Sequence, residues 1–263
     1  MNSHLRVVPS VQRAKAEIRV LDIEHLSKSF SINGSGSKNV LQDLNFTASR
    51  GELICILGRS GCGKSTLLKL LAGFLTPSTG SIKLAGQRVN QPGPDRCIVF
   101  QEDALFPWLT VRENIAFGLK ERKLKREDKN REIDHFLELV GLTDFADYLP
   151  GEISGGMKQR VALARVLILQ PEVLLMDEPF AALDAQTREE MQNLLLLLWK
   201  RLSHTILFVT HDVNEAVLLA DRILLFSSDP GGIKEDITID LQRPRAKDEP
   251  DFLDYCQAIR TKI

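Results

Sequence analysis

No segment of this 263-residue chain is apolar for long enough to cross a bilayer. The longest run of large apolar side chains is "LLLLLW" at 194–199, against the roughly 20 residues that a membrane-spanning helix needs. The opening "MNSHLRVVPSVQRAKAEIRV" lacks the apolar stretch of a secretory signal. Cysteine is scarce: Cys55, Cys62, Cys97 and Cys256 are the four, and no two stand in a C-x-x-C spacing, so neither zinc nor a redox motif is suggested. A basic surplus is also missing. Lys and Arg number 34 against 35 Asp and Glu, a formal charge of −1, whereas a nucleic-acid binder usually carries excess positive charge. Internal repeats are absent. These absences leave a soluble cytoplasmic protein with no nucleic-acid partner. Length allows one large domain or a core with an inserted subdomain, and 43% hydrophobic residues can fill a sizeable core. The basic start, with Arg6, Arg13, Lys15 and Arg19, reads as solvated, and residues 1–17 as a flexible extension.

What is present begins with alternation. "IRVLDIEHLSKSF" and "NVLQDLNFTAS" alternate apolar and polar residues as half-buried strands do, and the Ser/Gly turn between them suggests a small antiparallel sheet. "ELICILG" is a fully apolar strand, followed by a glycine loop and by "KSTLLKLLAGFL" at helical spacing. "GSIKLAGQRV" and "DRCIVFQ" read as further strands. From about 102 to 169 the chain turns charged and helical, which reads as an inserted helical subdomain. Strands resume with "VLLMD", "TILFVT" and "RILLFSS", separated by the helical "TREEMQNLLLLLWKRL" and "VNEAVLLAD". Fully apolar strands alternating with helices imply a parallel sheet covered on both faces. "IKEDITIDL" is expected as a late edge strand, and 241–263 as a tail holding one short helix, "PDFLDYCQAI".

Two segments are built to hold phosphate. "GRSGCGKS" at 58–65 matches G-x-x-x-x-G-K-[ST] in full, between an apolar strand and an amphipathic helix as that motif requires. Gly58, Gly61 and Gly63 let the backbone wrap and turn its N–H groups toward phosphate oxygens. Lys64 can reach the β- and γ-phosphates and Ser65 offers a hydroxyl to Mg²⁺; Arg59, Ser60, Cys62 and Thr66 complete the nucleotide-binding stretch. Cys62 stands near a helix N-terminus, which tends to lower a thiol pKa; the plainer reading, which we prefer, is a small residue facing away from the nucleotide. "VLLMDEP" supplies the other half. Asp177 ends a buried strand where a carboxylate can hold Mg²⁺, and Glu178 beside it can act as general base or orient water. Acidic pairs before proline often merely end strands; with the glycine loop present, the functional reading is the stronger. The second phosphate segment is "PGEISGGMKQRVALARVL". A serine and two glycines open a helix there, with Lys158 and Arg160 in its first turns, and a free helix N-terminus attracts anions.

In order and spacing, "GRSGCGKST", Gln101 after an apolar strand, "ISGGMKQR", "LLMDEPFAALD" and His211 after "ILFVT" closely resemble the ATP-binding cassette ATPases, over roughly residues 20–225. The resemblance implies an α/β fold: a P-loop NTPase (RecA-like) core with a parallel sheet, an N-terminal antiparallel β subdomain and the inserted helical subdomain, all within 18–240. It implies ATP and Mg²⁺ as ligands. Phe30 would stack on adenine, the alternative being a core aromatic. Gln101 would contact Mg²⁺ and the attacking water, His211 the γ-phosphate, and Asp184 would pass signals between two sites. Ser154, Gly155, Gly156 and Gln159 form the family signature, with Ile153 in place of the usual leucine. In this family two ATPase chains, alike or related, pair head to tail, and each nucleotide lies between the loop of one and the signature of the other. The second phosphate segment would therefore serve a partner's ATP.

The 53-residue step from Gln101 to Ser154 leaves no room for a long coiled coil, one cassette alone is present, and no N-K-x-D motif appears. Such a minimal cassette resembles the ATPase subunit of a bacterial importer. "PGPDRCIVFQEDALFPWLTVRENIAFGL", "MQNLLLLLW" and "SSDPGGI" are similar to the nitrate/sulfonate/taurine branch. That implies a peripheral protein on the cytoplasmic side of the inner membrane, with integral membrane permease subunits as partners and a periplasmic or lipid-anchored solute-binding protein as an indirect one. The second hypothesis is a soluble regulatory or repair ATPase. Leu105, Phe106 and Trp108 help to separate the two: apolar residues beside a nucleotide sensor suit a dock for a membrane subunit, and the alternative is packing inside the helical insertion.

Overall fold

The computed structural model describes residues 18–31, 36–101, 104–120, 122, 124–228 and 231–263. The expected N-terminal extension, most of the Ser/Gly turn after Ser31 and the first half of "DPGG" lie outside the described residues. Strands β1 (Arg19–Ser31) and β2 (Ser37–Ser49) pair antiparallel as expected, with Ile23 opposite Phe46 and Phe30 opposite Lys38. After β3 (Leu53–Leu57) leaves for a second sheet, β4 (Thr79–Leu84) joins the free edge of β1 and folds back into β5 (Gln87–Arg88). "GSIKLAGQRV" is thus a hairpin rather than one strand. Ala85 and Gly86, at φ 46° and 79°, take the paired left-handed angles of a two-residue turn whose twist matches the strands.

The second sheet runs β10 (Gly231–Thr238), β9 (Arg222–Ser228), β3, β8 (Thr205–Thr210), β7 (Val173–Asp177), β6 (Arg96–Val99). From β9 to β6 every pairing is parallel, and β10 is the antiparallel edge strand. Between their ends the central strands are wholly apolar, because each feeds two cores. Leu53, Cys55, Leu57, Leu174, Met176, Ile206 and Phe208 face one core; Ile54, Ile56, Val173, Leu175, Leu207 and Val209 face the other. The second core is closed by helix α1 (Lys64–Leu71) and the antiparallel sheet. The first is roofed by α2 (Val111–Phe117), α3 (Arg126–Leu139), α4 (Gly155–Leu167), α5 (Ala185–Leu202), α6 (Val213–Leu219) and α7 (Pro250–Arg260).

Helix α1 stops earlier than its apolar spacing suggests. Gly73 at φ 79° lets the Phe74 N–H donate to Lys69 O at 2.9 Å and its own N–H donate to Leu70 O at 3.0 Å, which closes the helix end. The long charged segment after Gln101 splits into α2 and α3, and the described residues between β6 and β7 hold no strand. The C-terminal segment is more than a tail. Phe252, Cys256 and Ile259 of α7 are buried in the first core. Arg245, itself buried, donates to Val217 O at 2.6 Å and Ala220 O at 2.7 Å, satisfying carbonyls that α6 leaves open at its end. Among the described residues no helix is long and apolar enough to cross a membrane.

Candidate functional site

The phosphate loop begins where β3 ends. A Cβ on Gly58 would stand 2.9 Å from Cys62 Sγ and 3.0 Å from Phe226 Cβ, so a side chain at the loop's first position would force its neighbours to shift. Gly63 sits at φ 101° and caps α1, and a Cβ there would stand 2.6 Å from Leu41 Cδ2 and 3.1 Å from Val40 O. Arg59, Ser60 and Gly61 form the exposed crest, and Ser65 and Thr66 lie in the first turn of α1. Lys64 is buried: its Nζ donates to Gly58 O at 2.8 Å and Arg59 O at 3.0 Å, and lies 3.7 Å from Glu178 Oε1. Cys62 points inward, as the plainer reading held. The lowering that a helix N-terminus tends to give does not occur: burial pushes the thiol pKa up and outweighs the help of Lys64 and of backbone N–H groups.

Three neighbouring strand ends supply the rest. Ser65 Oγ donates to Asp177 Oδ1 at 3.0 Å, joining α1 to the end of β7. Burial raises the Asp177 pKa and Glu178 adds to the rise; Ser65 and Lys64 oppose it. A hydroxyl and a partly desolvated carboxylate at this separation form the hard-oxygen pair that Mg²⁺ prefers, so these residues fit that ion. Glu178 follows at φ 46°, left-handed backbone that costs a non-glycine residue about 1 kcal/mol. Its N–H donates to Val209 O at 3.1 Å, so β8 holds it in that conformation. Glu178 Oε2 lies 2.8 Å from His211 Nδ1, just past the end of β8. Gln101 is exposed two residues beyond β6. The structure therefore brings Lys64, Ser65, Asp177, Glu178 and His211 to one end of the parallel strands. Gly58, Arg59, Ser60, Glu178 and His211 line one cleft there, together with Ile263, a residue the sequence reading gave no reason to place at the loop.

The signature segment lies apart from that cluster in its contacts. Ser154 is exposed and caps α4, its Oγ accepting the Met157 N–H at 3.3 Å. Nothing stands within 4 Å of a Cβ built on Gly155. Gly156 is different: a Cβ there would lie 2.5 Å from Thr187 Cγ2, so glycine lets α4 approach the first turn of α5. Asp184 caps α5, accepting the Thr187 N–H at 3.0 Å and the Thr187 hydroxyl at 2.7 Å, and these bonds hold its carboxyl below the usual range. Thr187 thus links the signature to Asp184, a contact that no motif announced. Gln159 turns inward and is buried, its Nε2 donating to Gln101 O at 3.2 Å.

Two other expectations divide. Phe30 is 40% exposed on β1 with Lys28 Nζ 5.1 Å from its ring centre, so it is no core aromatic. Leu105 packs against the first core, whereas Trp108 is 72% exposed. Phe106 lies between them, 5.7 Å from the Trp108 ring and 4.4 Å from the Phe117 ring. The buried Asn114 fixes this loop: its Oδ1 accepts the Phe106 N–H at 2.9 Å, and its Nδ2 donates to Phe106 O at 3.1 Å and Leu109 O at 2.9 Å.

A protein-family profile described as ABC transporter matches residues 41–181. The chain is 47% identical to a nitrate import ATP-binding protein of Synechocystis sp., covering 92% of this chain and 94% of that one. It is 48% identical to a bicarbonate transport ATP-binding protein of Synechocystis sp. (91% and 85% covered) and 45% identical to a taurine import ATP-binding protein of Roseobacter denitrificans (88% and 89%). Among solved structures it is similar to a Clostridium perfringens protein that is part of an ABC transporter complex, with TM-score 0.76, 31% identity and 84% and 89% covered. It is also similar to a dimeric ATP-binding cassette in a post-hydrolysis state bound to ADP and Pi, with TM-score 0.72, 28% identity and 84% and 100% covered.

Proposed function

The chain belongs to the ABC transporter family, and from that premise we propose that it is the ATP-hydrolysing motor subunit of an importer, working in a head-to-tail pair of ATPase chains beneath integral membrane permease subunits. The observation that carries this reading is the split in the site. Lys64, Ser65, Asp177, Glu178 and His211 converge within one chain, while the exposed α4 end at Ser154 and Gly155 has no phosphate loop of its own chain against it.

The geometry supports a direct route to hydrolysis. Lys64 exchanges the carbonyls of Gly58 and Arg59 for phosphate oxygens. Ser65 and Asp177 would hold Mg²⁺, which would neutralise charge on the terminal phosphates. Glu178 accepts the proton of a water whose oxygen bonds to the γ-phosphorus as the bond to ADP breaks. His211 holds the other Glu178 oxygen and so aims it, beside the γ-phosphate. Phe30 presents an exposed ring for the adenine. Trp108, with the edge of Phe106, offers the dock for a permease subunit, on a loop anchored by Leu105 and Asn114. The cargo is a small solute that carries an oxyanion group: the relatives named above serve nitrate, bicarbonate and taurine. Those import and transport roles give no support to a regulatory or repair ATPase. A solute-binding protein would deliver the solute to the permease.

Glu178→Gln tests the assignment. It keeps the shape of the side chain and removes the base, so turnover falls by at least about 100-fold while ATP still binds. With Mg²⁺ and ATP the variant elutes as a stable pair of chains. Near-normal turnover in the assembled transporter overturns the role given to Glu178.

A further inference from the structure

The cleft at the phosphate loop has one wall that no motif supplies. Ile263 lines it with Gly58, Arg59, Ser60, Glu178 and His211, around a cavity of about 400 Å³. The other five offer loop backbone or polar side chains suited to a phosphate. The isoleucine side chain has no donor to give one. Its place there needs a reason other than binding.

Two kinds of anchor bring Ile263 to the cleft. Helix α7 is fastened firmly, with Phe252, Cys256 and Ile259 buried in the first core. Arg260 Nη2 then donates to Asn214 Oδ1 at 2.9 Å, in the first turn of α6 and three residues after His211. Beyond Arg260 the hold is lighter. Lys262 Nζ donates to Glu235 Oε2 on β10 at 2.5 Å, and Lys234 Nζ donates to Lys262 O at 2.6 Å. The Lys262 and Glu235 side chains are 41% and 37% exposed. Ion pairs so open to water are weak and screened by salt. None of residues 260–263 is buried. They form a strap with a firm base and a loose end, and the loose end borders the cleft.

A segment held in this way leaves its seat easily. In the pairing proposed above, the exposed Arg59, Ser60 and His211 belong to the face on which the partner's signature closes. ATP brings its terminal phosphate to the same place. Strap and ligand therefore compete for one space. Binding is weakened in proportion to the share of chains whose strap is seated, and bound ligand unseats the strap by the same factor.

We propose that residues 260–263 are an autoinhibitory strap: Ile263, seated beside the phosphate loop and His211, obstructs both the terminal phosphate of ATP and the partner's signature, and the Lys262–Glu235 pair sets how firmly it is seated. This rests on the reading of the cleft as an ATPase site shared by two chains.

The test uses the Glu178→Gln chain, where hydrolysis does not interfere. Lys262→Ala and Glu235→Ala loosen the strap, and removal of residues 261–263 abolishes it. Stopped-flow binding of a fluorescent ATP analogue is followed at chain concentrations too dilute for pairing. The association rate is expected to rise at least about twofold in the two point variants, since each loses one weak ion pair, and about fivefold on removal. The ATP concentration that half-saturates pairing, read by sedimentation, falls by similar factors. Lys262→Glu combined with Glu235→Lys remakes the pair and restores the parent values. A merely structural segment predicts the opposite sign, because loosening it weakens binding. An unchanged association rate together with an unchanged midpoint, or a raised midpoint on removal, overturns the proposal. Failure of the charge exchange to restore the parent values overturns the part given to the ion pair. A chain that binds no ATP with or without the strap would sink the ATPase reading instead. The seat of Ile263 would still be decided by its methyl signal, assigned by loss in Ile263→Val: His211→Ala and Lys262→Ala both shift it in the nucleotide-free chain, and a signal that neither moves overturns the strap.

Discussion

The two glycine-rich segments differ in what completes them. Around 58–65, every glycine that faces a neighbour faces its own chain: Gly58 meets Cys62 and Phe226, and Gly63 meets Leu41 and Val40. The charged groups follow suit, with Lys64 folded onto its own loop and Ser65 bonded to Asp177. At 154–156 the helix end is exposed, Gly155 faces open space, and only Gly156 is pressed against a neighbour, Thr187. A glycine kept where a side chain would fit answers to something other than the fold. The comparison teaches that one segment is finished by intramolecular packing, while the other is left open by its own chain, as the proposed pairing requires.

Mixed pairs break or confirm that contrast outright. Lys64→Ala cripples the loop, and Ser154→Arg blocks the signature with bulk and charge. Each variant alone makes pairs with two defective sites. In a mixed pair, the intact loop of the Ser154→Arg chain faces the intact signature of the Lys64→Ala chain, giving one sound site. We expect one occluded ATP per purified, doubly tagged mixed pair, and none in either homopair. Stable mixed pairs that occlude nothing, while wild-type/variant pairs do, would place the signature's work within its own chain.

Alanine at two glycines sharpens the contrast by separating stability from activity. Gly63→Ala forces a left-handed residue against Leu41 and Val40, and should cost about 1–3 kcal/mol on thermal unfolding. Gly155→Ala meets nothing within 4 Å and lies in a helix, where alanine is favoured by up to about 1 kcal/mol. It should leave the free chain as stable as before, or slightly more so, yet weaken ATP-driven pairing. Equal destabilisation by both variants would erase the distinction between the two segments.

Much of this site can be read from the chain because its parts are contiguous. The loop, "VLLMDE" and the Ser154 cap each act through neighbours in sequence, so motif and strand context suffice. What escapes is held by contacts between distant residues. Arg245 belongs to a segment that reads as a tail, yet its guanidinium closes α6 more than twenty residues away. Glu215 and Gln192 lie on different helices, and neither stands in a motif. Thr187 becomes visible only because Gly156 lets α4 come close. Cys62 shows a local rule losing to its surroundings: a helix N-terminus favours thiolate, but burial in the second core outweighs it. The hairpin at Ala85–Gly86 was legible in principle, since paired left-handed positions favour such turns, but the apolar alternation around it masks the break.

The smallest effect distinguishes the two segments by their electrostatics. Asp177 is held partly desolvated beside Glu178, so its folded pKa lies above its unfolded value. The folded chain then binds that proton more tightly than the unfolded chain does. Ionised Asp177 destabilises the nucleotide-free protein at pH above the folded value, and the cost fades as pH falls through the carboxylate range. Asp177→Asn keeps an oxygen for the Ser65 hydroxyl and removes the charge. At neutral pH without nucleotide it should melt higher than wild type, by no more than roughly 3 °C, the shift that ~1 kcal/mol produces in a chain of this size. That gap should close as pH drops toward the unfolded carboxylate value. With Mg²⁺ and ATP the order should reverse, because the wild-type chain alone gains stability from metal-assisted binding. Ser154→Ala is the matching change at the other segment. It removes a helix cap worth ~1 kcal/mol, lowers the melting temperature, and does so equally across this pH range, since no titrating carboxylate is involved. A lower melting temperature for Asp177→Asn at neutral pH, or a gap that ignores pH, would show that the loop's carboxylate is as well accommodated by its own chain as the signature's hydroxyl, and that stored electrostatic cost does not separate the two segments.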